Sequence, residues 1–171
     1  MKPLLSVIIP TFNNRGVLSA SLTDLSRQSL RKENFHVIIA DDCSTDGTFE
    51  YISRLLPYLP YRCDFVKTEN NSGPATARNL AVSYAEADIL LFLGSDTFAS
   101  PNLLWHHLYE HKRRKEWPMA CQGTTLWHPD VADEFSTFLF QSGLQANMQA
   151  LKNDDGTWKT EVPGWGLTTN F

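Results

Sequence analysis

An excess of positive charge is the first thing this sequence lacks. The 171 residues carry a net charge of -4, so the chain has none of the basic balance with which nucleic-acid binders hold phosphate backbones, and bulk charge names no partner. Cysteine is scarce as well. Cys43, Cys63 and Cys121 are odd in number and widely spaced, which excludes a disulfide framework and a CxxC metal site and points to reduced thiols in a cytosolic setting. No apolar run approaches membrane-spanning length, and the short stretch after Lys2 is cut by Pro10 before it could form a signal-peptide core. Association with a membrane face through another region stays open. There are no internal repeats, no low-complexity tract, and no GxGxxG after the first apolar run, which excludes a dinucleotide-binding Rossmann enzyme.

What is present is a globular composition, 42% hydrophobic and 20% charged, in a chain long enough for one full domain or one domain and part of another. Residues 4–9 (LLSVII), 35–40 (FHVIIA) and 63–68 (CDFVKT) read as strands, and 10–14 as the loop after the first. Residues 89–93 (ILLFL) form an unbroken apolar run that suits a strand buried on both faces. Between these runs the apolar spacing turns helical. Val17, Leu18, Leu22 and Leu25 mark a helix from Arg15 to about Ser29. Asp46 is a candidate N-cap for a second helix carrying Phe49, Ile52, Leu55 and Leu56, which Pro57 ends. Pro74 opens a third, with Ala75, Ala77, Leu80, Ala81, Tyr84 and Ala85 as its inner face. Further helices are expected at about 102–115 and, in part, toward Leu151, with a strand near 119–123 and irregular structure from 153 to 171. Strands alternating with helices predict right-handed crossovers and a mostly parallel sheet covered on both faces. The loops at 10–14, 41–48, 69–74 and 94–100 should then meet along one rim, at the carboxyl ends of the strands where ligands bind in such sheets.

Several side chains on that rim carry chemistry, each with a plainer alternative. Asp96 and Ser95 follow the fourth strand, and their hard oxygens suit Mg²⁺ or Mn²⁺, ions that share their shell with phosphate and water; Gly-Ser-Asp-Thr is also an ordinary turn sequence. Arg78 has charge and donors fit for a diphosphate, or for a surface ion pair. Asp41, Asp42 and Asp46 can cap a helix and solvate a turn, and Phe12 can be a core anchor. His106, His107 and His111 share one helix without an HExxH pattern or a further ligand, so they read as a solvated face. Lys112, Arg113, Arg114 and Lys115 complement the end of the same helix. Cys43 is flanked by carboxylates and reads as a small tolerated residue, not a nucleophile.

Four stretches, SVIIPTFNN at 6–14, ADDCSTDGT at 40–48, NNSGPATARN at 70–79 and FLGSDTF at 92–98, stand in an order and spacing that together resemble the nucleotide-sugar-binding half of family-2 glycosyltransferases. The resemblance covers the chain well from Ser6 to Phe98 and only loosely beyond. It implies the GT-A fold, a Rossmann-like three-layer α/β/α arrangement with a mostly parallel central sheet. Residues 1–125 would form the donor-binding domain, and 126–171 the start of the acceptor-side region. By the same resemblance Pro10, Thr11 and Phe12 line the base and ribose, and Asp42 recognises the base, commonly uracil. A carboxylate can accept the ring N–H of uracil and reject bases without that donor. Asn71, Gly73, Arg78 and Asn79 match the third motif. Ser95 and Asp96 fall in the metal motif, with Asp96 as the direct ligand of Mg²⁺ or Mn²⁺. Gly94 departs from the family, which carries an acidic residue there, and Cys43 stands where relatives usually have Gly.

The activity implied is inverting transfer of a sugar, from a UDP-sugar, to a hydroxyl of a saccharide or lipid-linked acceptor. The ion would neutralise charge on the departing nucleoside diphosphate. The protein would work in the cytoplasm, with the membrane face left open as a place of action. The family's general base lies in an acidic segment that would fall beyond Phe171, and Asp130, Asp133 and Glu134 come too early to match it. GWGLTTNF at 164–171 resembles the stretch leading into the acceptor side, and Trp117, Trp127, Trp158 and Trp165 could serve a sugar acceptor or simple packing. The alternative reading is a non-catalytic nucleotide-sugar-binding module of the same fold. A sugar-1-phosphate nucleotidyltransferase would need a Gly-rich loop after the first strand, and Pro10-Thr11-Phe12-Asn13 is not one.

Overall fold

A computed structural model of the chain describes residues 2–114 together with 120, 121 and 123. The chain divides into two compact units, Met1–Gly123 and Thr124–Phe171, and every described residue belongs to the first. Four strands, β1 (Leu5–Thr11), β2 (Phe35–Asp41), β3 (Arg62–Lys67) and β4 (Leu90–Phe92), make a parallel sheet in the order β3-β2-β1-β4. The helices are α1 (Arg15–Ser26), α2 (Thr48–Leu55), α3 (Pro74–Ser83) and α4 (Leu103–Arg113).

β1 and β2 are buried at every position, because alternate side chains are covered by helices on opposite faces. Leu5, Val7 and Ile9 of β1 and Phe35, Val37 and Ile39 of β2 pack with Leu18, Leu22 and Leu25 of α1, Ile52 of α2, and Leu104 and Leu108 of α4. Ile8, Ile38 and Ala40 face the other way, against Ala77 and Ala81 of α3. Two alanines at i, i+4 let the α3 backbone lie close to the sheet. The result is the three-layer α/β/α arrangement expected of a GT-A, Rossmann-like domain. No helix among the described residues is long and apolar enough to cross a membrane.

Four local expectations need correction. Pro10 and Thr11 are not loop but the last residues of β1, in register with Ala40 and Asp41. Ser6 donates to the Ile89 carbonyl and the Ile8 carbonyl accepts from Leu93, so alternate residues of β1 address β4, and Pro10 would be next. β4 ends at Phe92, so the N–H that proline lacks falls where the ladder has already stopped. The run at 89–93 is not buried on both faces: Phe92 is 53% exposed, since β4 is an edge of the described sheet and α3 packs over Ile8, Ile38 and Ala40 instead. Ala75 and Tyr84, expected on the inner face of α3, are exposed. His107 is not on a solvated face; it is 7% exposed, and burial, with the nearby His111 and His106, holds its pKa below the usual histidine value. The expected strand at 119–123 falls largely, and everything from 124 to 171, including Trp127, Trp158 and Trp165, falls wholly outside the described residues, as do Lys115 and Trp117.

Candidate functional site

The strand order places the site. β1, β2 and β3 step one way with α1 and α2 on one face, and α3 then crosses the opposite face to set β4 on the far side of β1. Chain direction across the sheet therefore reverses between β1 and β4, and ligands of open α/β sheets bind in the crevice at such a switch point. The loops leaving β1 and β4 are joined there: Asn14 Nδ2 donates to Ser95 Oγ at 2.9 Å, and Ser21, buried in α1, donates to the Ser95 carbonyl at 3.0 Å.

The rest of the rim is stitched on from this point. Asn13 adopts a left-handed conformation (φ 48°), which Asn tolerates better than most residues. Its N–H donates to Ser44 Oγ at 2.8 Å, and its side-chain oxygen accepts from the Thr45 N–H at 2.8 Å. Asp41 accepts from the Ser44 N–H at 3.1 Å and from the Ser44 hydroxyl, an Asx-type turn closing the loop after β2. Asp46 accepts from the Thr48 N–H at 2.9 Å and the Thr48 hydroxyl, and from the Arg15 N–H at 3.4 Å. It thus serves the starts of α1 and α2 together, although the N-cap position itself is held by Gly47. The Asp46 carboxyl sits below its ordinary pKa; burial opposes this, and the bonds to Thr48 and Arg15 outweigh it.

Asp42 is 3% exposed and its carboxylate is almost fully engaged. Oδ1 accepts from Thr68 Oγ1 at 3.0 Å and the Ser72 N–H at 3.0 Å, and Oδ2 from the Gly73 N–H at 2.7 Å. The loop after β3 is thereby tied to the end of β2. Gly73 has φ 90°, a conformation open to glycine, and it is this turn that aims its N–H at Asp42. A carboxylate offers about four lone-pair positions, so Asp42 retains one acceptor direction, on Oδ2.

Of the three residues expected in the first motif, Pro10 and Thr11 are buried within β1, and the Thr11 hydroxyl has no hydrogen-bond partner. Phe12 alone reaches the open rim; at 45% exposure it is not a core anchor. Asn71 is exposed, beside Ser72 and Gly73. Arg78 is half-buried on the second turn of α3, and the ion pair offered as its plain role is not formed with any described residue. Asp96 is exposed, in a turn closed by the Thr97 N–H to the Gly94 carbonyl at 3.2 Å. Among the described residues no group of three His, Cys, Asp or Glu side chains could hold a metal ion. One carboxylate and hydroxyl oxygens nonetheless fit Mg²⁺ or Mn²⁺, which take one or two carboxylates and complete their shell with phosphate and water. Asn13, Asn14, Ser44 and Thr68 were not singled out from sequence. A left-handed Asn after a strand had a local signal in Asn13-Asn14; the Asn14 to Ser95 bond, spanning 81 positions, had none.

The family pattern described as "Glycosyl transferase family 2" matches residues 6–138. The chain belongs to this family. Poly(ribitol-phosphate) beta-N-acetylglucosaminyltransferase TarS of Staphylococcus aureus is 34% identical over 99 residues, which make up 58% of this chain and 17% of TarS. The crystal structure of TarS 1–349 in complex with UDP has a TM-score of 0.59 and 31% identity, covering 64% of this chain and 32% of that one. The mannosyltransferase PcManGT from Pyrobaculum calidifontis, in complex with GDP-Man and Mn²⁺, has a TM-score of 0.56 and 25% identity, over 63% of this chain and 31% of that one. The chain thus spans a minor part of the family members it matches, and the matched part is the one that carries the rim.

Proposed function

We propose that this chain is the donor-binding part of a glycosyltransferase that takes a UDP-linked sugar together with Mg²⁺ or Mn²⁺ and, in the complete protein, transfers the sugar with inversion to a hydroxyl of a saccharide or lipid-linked acceptor. Residues 1–125 form the donor domain in this reading, and 126–171 begin the acceptor side. The observation that carries it is the switch point between β1 and β4, where the Asn14 to Ser95 bond brings Phe12 and Asp96 to one rim. Two family members support the choice of ligands: TarS has been crystallised with UDP, and PcManGT with GDP-Man and Mn²⁺.

The roles proposed for its residues are supported by the geometry of this chain. Phe12, exposed at the end of β1, offers a ring face for the base, above a floor made by Pro10 and Thr11. Asp42 presents its remaining acceptor direction to the uracil N–H while its other contacts fix the position of Ser72 and Gly73. Asn71 and Gly73 border the ribose and phosphates, and Arg78 on α3 supplies donors to the diphosphate. Asp96 would hold the divalent ion, with Ser95 pinned beside it; bound there, the ion supplies Lewis-acid neutralisation of the leaving diphosphate. The three cysteines, all free, suit a cytoplasmic place of action, and a lipid-linked acceptor would bring the complete protein to the membrane face.

Titration calorimetry of the 171-residue chain with UDP, GDP, CDP and ADP in the presence of Mn²⁺ tests this reading. UDP should bind most tightly, and Asp42→Asn, which puts an amide N–H where an acceptor was, should remove the preference for uracil. Failure of every nucleotide to bind the parent chain would overturn it.

A further inference from the structure

The turn that carries Asp96 has an uncommon interior. A Cβ placed on Gly94 would lie 2.7 Å from Asp96 Oδ1 and 2.8 Å from Thr97 Oγ1, so both oxygens fold back over one point left vacant by the missing side chain. Neither side chain has a hydrogen-bond partner among the described residues, in contrast to Asp41, Asp42 and Asp46 on the same rim. Asn14 holds the Ser95 side chain and Ser21 its carbonyl, and the Thr97 N–H closes the turn onto the Gly94 carbonyl. Two unpaired oxygens turned into the same space beside Gly94 suit a small hard cation such as Mg²⁺, which takes oxygen ligands at about 2.0–2.1 Å.

We infer that Thr97 is a second protein ligand of this cation: its hydroxyl and the Asp96 carboxylate hold the ion over Gly94, where no first carboxylate exists. The inference rests on the donor-binding reading above and deepens it. A hydroxyl is neutral where a carboxylate would be charged, so the site contributes a single negative charge to a doubly charged ion. The remaining charge is balanced by the diphosphate, and the ion is held with the nucleotide and only weakly without it. Gly94 is part of the device. Its Cβ would not offend the backbone, only the two side-chain oxygens, so a methyl there moves the oxygens apart while leaving the fold intact.

The test is Mn²⁺ binding followed by the loss of the free-ion electron paramagnetic resonance signal, with and without saturating UDP, alongside calorimetry of UDP alone. The parent chain should take up Mn²⁺ with UDP and little of it without. Thr97→Val and Gly94→Ala should each lower Mn²⁺ affinity in the presence of UDP by about ten-fold, the lower end of what losing even an outer-shell partner costs. Thr97→Ser should restore it, and UDP affinity without metal should stay at the parent value in all three. Parent-like Mn²⁺ affinity in both Thr97→Val and Gly94→Ala, with UDP still bound, would overturn the inference and leave the donor-binding reading standing. Absence of UDP binding by the parent chain would remove both.

Discussion

Asp42 and Asp96 leave strands that flank β1 on its two sides, and the protein treats them in opposite ways. The first is sunk beneath the rim with three donors on its oxygens; the second stands in solvent with none among the described residues. The same functional group therefore does two jobs. Asp42 spends most of its bonding capacity on the loop after β3, so the part in recognition proposed for it would come from a geometry it also maintains. Asp96 is exposed and makes no side-chain hydrogen bond among the described residues, which leaves it free for the ion proposed above. Mutating the two should separate folding from binding, and that difference can be broken or sharpened by experiment.

The largest effect is expected at Asp42. Asp42→Ala removes three charge-assisted bonds, and since hydrogen bonds to charged groups contribute about 1.5–3 kcal/mol each and the freed N–H groups near Ser72 can turn to water, a net loss of roughly 2 kcal/mol is expected in urea unfolding. UDP affinity should fall with it. Asp96→Ala should leave the unfolding free energy within about 0.5 kcal/mol of the parent, as for exposed surface sites, while abolishing the Mn²⁺-dependent part of UDP affinity. If both variants lose stability equally, the contrast between the loops fails.

A third expectation concerns acid and lies away from both aspartates. His36 is fully buried, with Nε2 3.0 Å from Asp64 Oδ2 in a contact not aligned as a hydrogen bond. Burial lowers its pKa, Arg62 adds to this, and Asp64 and Glu86 oppose it. His107 is lowered chiefly by burial too. Both groups take up protons more readily in the unfolded chain, near the ordinary pKa of about 6.5. Stability is thus complete above that value and is lost as pH falls below it toward the depressed folded values. The Tm should drop between pH 7 and pH 5, and His107→Leu should flatten that slope without changing UDP affinity at pH 7. The smallest effect is expected at Cys43, held at φ 63° beside Asp42. Cys43→Gly should raise stability by about 1 kcal/mol by relieving left-handed strain, read as a higher Tm, and an unchanged or lower Tm would show the strain to be absent.

The layers and the rim were legible because β1 and β2 are continuous apolar runs and the helices between them have clear spacing. What escaped had causes spread along the chain. Pro10 was read as a stop because its sequence does not say that β4 ends one rung short of it. His107 looked solvent-facing because nothing local distinguishes it from His106, one exposed and the other buried on the same helix. Asp42 stood out in the sequence as a candidate site residue, but its place as the clasp of the loop after β3 was not legible, since that depends on Gly73, 31 positions away. The cradle proposed over Gly94 had only indirect signals, a missing carboxylate and the neighbouring Thr97 hydroxyl, because the sequence does not show that the Asp96 and Thr97 oxygens both turn back toward Gly94.

One consequence of Pro10 reaches beyond strand assignment. A zipper between two parallel edges runs as long as both edges supply partners; β4 leaves after Phe92, and at the next rung Pro10 has no N–H with which to extend it. The gap between the first and last strands is thus doubly secured, by the end of β4 and by an imino acid that could not pair there.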